Sequence, residues 1–389
     1  MTSYQGIAVA VVTLSSLLGA PALAQGIETS GEPPAAKGWR AETVVDGLPQ
    51  PWGMAWLADG RILVTGKGGT LHLVDGKRAV AVPVEGLPQL FTGGQGGLLD
   101  IAVHPADKGP NPRVYMTMAS GTQEANRTVL VQGVFDGKRV HGVRAIFTAS
   151  PSKSGGQHFG SRIVFLKDGT LLMSIGDGGN PPARVGEMLA RDQAQNVRSH
   201  NGAILRLTAE GQAAPGNPLA GKGGALPELW SIGHRNIQGM VVDPQGRVWA
   251  SEHGPRGGDE LNALVAGANY GWPVTTDGID YTGARVTPYR SWPGITPPLT
   301  HWTPSIAPSG MAWYDAPLFP AWRGSLFVSA LVERSVRRVP MAGGRPGAQE
   351  ILFAELDERI RDVRTGPDGA LYLLTDSAQG RVLRVLPAN

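Results

Sequence analysis

Short apolar strings, each opened by a turn dipeptide, recur along most of the chain. Six stand out: ADGRILVT from Ala58, NPRVYMTM from Asn111, KDGTLLMS from Lys167, PQGRVWAS from Pro244, WRGSLFVS from Trp322 and PDGALYLL from Pro367. Each places Gly or Pro at a tight turn and follows it with alternating β-branched, aromatic or aliphatic residues, the pattern of a hairpin. A second apolar string precedes each one: GMAWL, DIAVHP, SRIVFL, GMVVDP, GMAWYD and IRDVRTG. The turns recur at uneven intervals averaging about 60 residues, the length of one four-stranded sheet with a loop. Six such units predict an all-β chain folded as a six-bladed β-propeller around a central channel. The strings WRAETVV from Trp39 and GRVLRVLP from Gly380 are expected to complete one blade together, because closure removes the free sheet edges. Helical spacing is confined to VGEMLARDQAQN from Val185 and DELNALV from Asp259, which predict two short helical insertions.

Composition supports the turn count. The chain has 389 residues with 55 Gly and 31 Pro, while its 41% hydrophobic fraction is too high for disorder. The absence of Cys excludes disulfide frameworks and thiolate chemistry. A net charge of +3, with no basic run, argues against a nucleic-acid partner. The first 24 residues carry no charged side chain, run apolar from Ile7 to Leu18 and end in Ala22-Leu23-Ala24. This reads as a secretory signal cleaved after Ala24 rather than a stable membrane span, which places one propeller domain, residues 25–389, in the periplasm or outside the cell.

Loops at one end of a propeller converge on the channel, so polar residues flanking the repeated hairpins are the candidates for function. His158, between Gly155-Gly156-Gln157 and the strand string SRIVFL, suits proton abstraction near neutral pH, or is a structural histidine. Arg235 in GHRNIQG offers a positive fork to an oxyanion, or an inter-blade salt bridge. Arg359 and Arg361 in ERIRDV share one strand face and need an anion between them, either a protein carboxylate or a polycarboxylate ligand. The segment HGPRGGDE offers calcium the carbonyls of Gly254 and Pro255 and the carboxylates of Asp259 and Glu260, or is a glycine loop that Asp259 caps into a helix.

Together these segments resemble the soluble pyrroloquinoline quinone-dependent aldose or glucose/sorbosone dehydrogenases, six-bladed propellers of the bacterial periplasm. The resemblance runs through GQHFGSRIVF with IGDGGN, GHRNIQG, SEHGPRGGDELN with GANYGWP, TPSIAPSGM and RIRDVRTGPDG. It implies oxidation of an aldose at the anomeric hydroxyl, monomers or dimers, and an external electron acceptor such as a cytochrome or a quinone. By the same resemblance His158 is the base, and Arg235, Asn236 and Gln95 lie at the quinone. Gly254 and Pro255 hold calcium through their carbonyls, Arg359 and Arg361 clamp the quinone's carboxylates, and Glu260 with the Tyr270 carbonyl forms a second calcium site. Two positions depart from the glucose-specific branch, Gln157 replacing an acid and Gly178 an amide, and Leu331-Val332-Glu333-Arg334 lacks the cofactor-contacting lysine that the broader aldose branch has before arginine. The competing readings are a calcium-dependent lactonase or esterase, which would need several side-chain carboxylates in the channel, and a non-catalytic propeller binding sugar or protein.

Overall fold

The computed structural model describes residues 38–388 and the backbone of Ile27–Glu28. The segment expected as an export signal lies outside the described residues. All six predicted hairpins are present: Pro51–Trp56 with Ile62–Gly66, Leu98–Val103 with Arg113–Gly121, Ile163–Phe165 with Leu171–Ile175, Ile237–Val242 with Val248–Glu252, Pro308–Tyr314 with Ser325–Ala330, and Ile360–Thr365 with Leu371–Thr375. Each forms the inner half of one sheet, antiparallel except where Ile27–Glu28 adds parallel to Thr300–Trp302, and the six sheets are the blades of a propeller, numbered here from Pro51–Trp56. The first strand of each blade touches those of its neighbours, so these strands ring the channel. In blade six, Trp39–Leu48 pairs antiparallel with Gly380–Pro387, which closes the ring as expected.

The alternation in the repeated strings explains where the core lies. A blade's two faces each pack against a neighbour, so apolar residues from adjacent blades form six wedges between blades. Leu63 and Leu73 of the first blade meet Met116 and Val131 of the second, and Val64 of the first meets Leu374 and Val382 of the sixth.

Neither predicted helix forms as expected. Asp259–Leu264 is a strand held between Val248–Glu252 and Thr300–Trp302. Ladder bonds to two neighbours in a buried blade override a helical spacing of only seven residues. The stretch from Val185 contributes to a two-residue hairpin and a single 3-10 segment, Ala190–Gln195.

Across the channel the innermost strands contribute a buried lattice of two acids and two arginines. Arg162 Nη1 lies 3.2 Å from Asp100 Oδ1 and 3.3 Å from Asp362 Oδ1, while Arg364 reaches Asp100 at 3.0 Å and Asp362 at 2.9 Å. Two charges of each sign compensate one another where water is scarce. The Arg162 guanidinium also packs 4.3 Å from the ring centroid of Trp52.

Candidate active site

At one mouth of the channel opens a cavity of about 1090 Å³ to which all six blades contribute. Among the residues expected at the site, Gln95, Asn236, Gly254, Pro255, Arg359 and Arg361 line it. His158 and Arg235 lie directly behind this lining, at 3% and 2% exposure. Glu260 and Tyr270 are elsewhere, toward the outer part of blade four.

His158 is a placed imidazole. Its Nδ1 lies 2.7 Å from Asp177 Oδ1, and that carboxylate also accepts Gly179 N at 2.9 Å and Trp272 Nε1 at 2.7 Å. A carboxylate that accepts from every neighbour fixes the ring proton on Nδ1 and leaves the lone pair on Nε2. Burial, reinforced by the Arg235 charge and opposed by Asp177, holds the imidazole below its usual pKa, so it is neutral near pH 7. The main chain at His158 is left-handed, with φ of 50°, and Gln95 Oε1 accepts its amide at 2.8 Å. Gln95 N donates in turn to Gly156 O at 2.7 Å. A Cβ on Gly156 would come within 2.7 Å of Gly93 O, so this close crossing of two loops requires glycine.

Among the described residues Arg235 forms no inter-blade salt bridge. Nη1 donates to Gly254 O at 2.6 Å and His253 O at 3.1 Å, Nη2 donates to Asn180 Oδ1 at 2.8 Å, and the guanidinium sits 5.3 Å from the Trp272 ring centroid. Its buried Nε has no partner among the described residues. Asn236 Oδ1 accepts Gly160 N at 3.1 Å. Gly254 N donates to Asp259 Oδ1 at 2.9 Å, while Asp259 Oδ2 accepts Ser305 Oγ at 2.6 Å and Ala307 N at 2.9 Å. Asp259 therefore anchors the Gly254 loop rather than capping a helix, and burial pushes its carboxyl up to about 6.

Asp376, which follows the second strand of the last blade, Leu371–Thr375, sits between Arg359 and Arg361. Arg359 Nε donates to Asp376 Oδ2 at 2.9 Å and Arg361 Nη2 donates to Oδ1 at 3.0 Å. One carboxylate for two guanidiniums leaves a net positive floor. Lys67 and Arg256 add to it, and among the described residues the cavity lining has no carboxylate besides Asp376. Burial lowers both Arg361 and Lys67 from their usual pKa values. The Leu331–Val332 segment brings no cation, since Val332 stands 63% exposed on the rim, but Lys67 supplies an ammonium from the first blade.

Glu260 lies beside Glu252, and both carboxylates accept from Asn262 Nδ2 at 3.0 Å. Burial, with Glu252 close by, holds Glu260 well above the usual carboxylate range. Glu252 also binds His234 Nδ1 at 2.9 Å, and that ring stacks on Tyr270 at 4.7 Å between centroids. This links Glu260 to the neighbourhood of Tyr270.

Sequence reasoning assigned no role to Asp177, Asp376, Lys67 or Trp272. Asp177 and Trp272 lie within IGDGGN and GANYGWP, so the signal was present, but their meeting requires two blades to fold together.

Residues 48–384 match the family described as Glucose / Sorbosone dehydrogenase. The aldose sugar dehydrogenase YliI of Escherichia coli (strain K12) is 36% identical over 355 residues, covering 90% of this chain and 93% of that protein. The crystal structure of soluble aldose sugar dehydrogenase from E. coli in the apo-form superposes with a TM-score of 0.84 at 35% identity, covering 90% of this chain and all of that one. The pyrroloquinoline quinone-bound aldose sugar dehydrogenase from Streptomyces coelicolor gives 0.72 at 29% identity, covering 91% and 99% of the two chains.

Proposed function

We propose, for a chain that belongs to the glucose/sorbosone dehydrogenase family, that it oxidises the anomeric hydroxyl of aldose sugars to lactones, with pyrroloquinoline quinone and calcium as resident cofactors and an external carrier as electron acceptor. The observation that carries this reading is one cavity with a cationic floor set against a neutral, oriented imidazole.

The residues fit the cofactors. A flat tricarboxylate matches an excess of guanidinium and ammonium groups, and the unpartnered Arg235 Nε is a buried donor awaiting an acceptor. Arg359, Arg361 and Lys67 would hold the carboxylates, with Asn236, Arg235 and Gln95 at the quinone's oxygens. Gly254 and Pro255 would offer calcium two hard carbonyl oxygens, the first of which also accepts Arg235 Nη1, fewer than the roughly six to eight it takes, so ligand and water would complete the shell.

When bound, the quinone supplies a two-electron acceptor for the hydride of the sugar's anomeric carbon. The protein's part is the proton. His158 Nε2 takes it from the anomeric hydroxyl as the carbon–oxygen double bond of the lactone forms, and Asp177 stabilises the resulting imidazolium through Nδ1. Gln95 keeps the ring from drifting by holding its main chain, and Arg235 adds positive charge where the electrons arrive. The lactonase reading lacks its side-chain carboxylates, since Asp376 is tied up by two arginines.

The direct test is reconstitution. Cofactor-free protein given the quinone and calcium should reduce a dye with glucose, galactose, xylose or maltose, and failure with every aldose would refute the assignment. Gln157, which replaces the acid of the glucose-specific branch, points to a broad aldose range. Localisation in the periplasm or outside the cell belongs to the same reading; among the described residues no helix is long and apolar enough to cross a membrane.

We place a second calcium at Glu260 and the carbonyl of Tyr270. Glu260 beside Glu252, with the buried Asn262 Oδ1 unpartnered, is a donor set that a divalent cation would satisfy. Calcium should therefore raise the melting temperature of the cofactor-free protein. Glu260→Gln should remove most of that rise, which differential scanning calorimetry with and without a chelator would read; an undiminished rise would place the ion elsewhere.

A further inference from the structure

Lys153 is 4% exposed, unusual for a residue whose ammonium normally reaches water. Its Nζ donates to Asn126 Oδ1 at 2.9 Å and to Gly155 O at 3.2 Å, and it lies 4.0 Å from the ring centroid of Phe159. Asn126 Nδ2 grips the same Gly155 carbonyl at 2.8 Å. The main chains of Lys153 and Asn126 exchange two further hydrogen bonds, at 2.8 and 2.9 Å. Gly155 and Phe159 bracket His158 on either side, so the ammonium ties down both ends of the loop that carries the imidazole in its left-handed conformation.

We propose that Lys153 is a positioning residue for His158, clamping its loop and placing a positive charge behind the imidazole–carboxylate pair it forms with Asp177. The inference rests on the reading of His158 as the proton acceptor. A clamp alone needs no charge, and burying one is costly. The ammonium is itself favoured by the Asp177 carboxylate, and it opposes protonation of His158 together with Arg235. Arg235, Asp177 and Lys153 are the charges that bear most on the imidazole, with the neutral His253 beyond it. Burial pushes Lys153 itself down to about 7, so it is charged throughout the lower range where His158 titrates.

The lysine stem also runs beside a sequence departure. Gly178, which replaces the amide of the glucose-specific branch, has φ of 103°, a conformation that favours glycine, and a Cβ there would come within 2.9 Å of Lys153 Cδ and 3.2 Å of Ala190 Cβ.

The sign follows from the charge. With Lys153 present the imidazole loses its proton at lower pH; with it gone the proton is held to higher pH and the base is neutral over a narrower range. Histidine ring NMR on the cofactor-free protein reads this without turnover, His158 being assigned by the resonance lost in His158→Gln. In Lys153→Met the His158 midpoint should rise, and in Lys153→Arg it should stay at the wild-type value. The loaded enzyme should show the acid limb of kcat/KM displaced the same way, about threefold lower activity at a fixed pH on that limb. An unmoved midpoint in folded Lys153→Met would overturn the proposal. Should that variant not fold, the wild-type protein decides. The His158 shifts should then show a second inflection where the Lys153 Cε signal titrates, and its absence would also overturn it. Because the NMR readout needs neither sugar nor quinone, it separates failure of this inference from failure of the dehydrogenase reading.

Discussion

Replacing His158 with alanine should lower kcat by about a thousandfold while leaving quinone affinity within about a factor of three. The loss is that of a general base whose proton is fixed on Nδ1 and whose Nε2 holds the only free ring lone pair. Quinone affinity should survive because the groups proposed to hold its carboxylates are Arg359, Arg361 and Lys67, which line the cavity, and not the imidazole. The test is steady-state kinetics on reconstituted enzyme with isothermal titration of the quinone. Loss confined to KM, or turnover within tenfold of wild type, would remove His158 from the role.

Arg359 and Arg361 carry the other large effect. Changing both to alanine should raise the quinone's dissociation constant about a hundredfold or more, in line with losing charge-assisted hydrogen bonds from a desolvated site. The double change leaves Asp376 largely buried without either guanidinium, so the variant should also melt at lower temperature than wild type. Asp376→Asn is the informative control. It frees both guanidiniums from their shared carboxylate, so the quinone should stabilise this variant by more degrees than it stabilises wild type. A double variant that binds quinone normally and is impaired only in sugar affinity would contradict the clamp.

The residues that announced the fold are those whose partners lie nearby in the chain. A turn dipeptide with alternating apolar strings specifies a hairpin locally, and six of them suffice to require a closed ring. Asp259–Leu264 escaped because its seven-residue pattern fits a helix equally well, and only the flanking strands of the same blade decide the matter. The site was legible where a side chain needs a special neighbourhood of glycines, as with His158 and Arg235. It was not legible where the chemistry comes from pairing across long separations. Asp177 meets Trp272 from 95 positions away, and the Asp100, Arg162 and Arg364 lattice joins three blades. The Arg359 and Arg361 pair shows the intermediate case: the need for an anion between them follows from strand geometry, but its identity as Asp376 appears only when the blade folds. Gly178 reads in sequence as a missing contact and in the structure as a left-handed backbone position, with φ of 103°, beside the Lys153 stem.

The central claim is that electrons leave an aldose for a quinone held on this cationic floor, with His158 taking the proton. Anaerobic single turnover tests it most directly: protein loaded with one equivalent of pyrroloquinoline quinone and calcium is mixed with one equivalent of glucose or xylose, with no other acceptor present. The bound quinone's absorption should convert to that of its reduced form, with one lactone formed per quinone, and His158→Ala should slow that conversion about a thousandfold. An oxidised spectrum that persists with every aldose, while titration shows the quinone bound, would contradict the account.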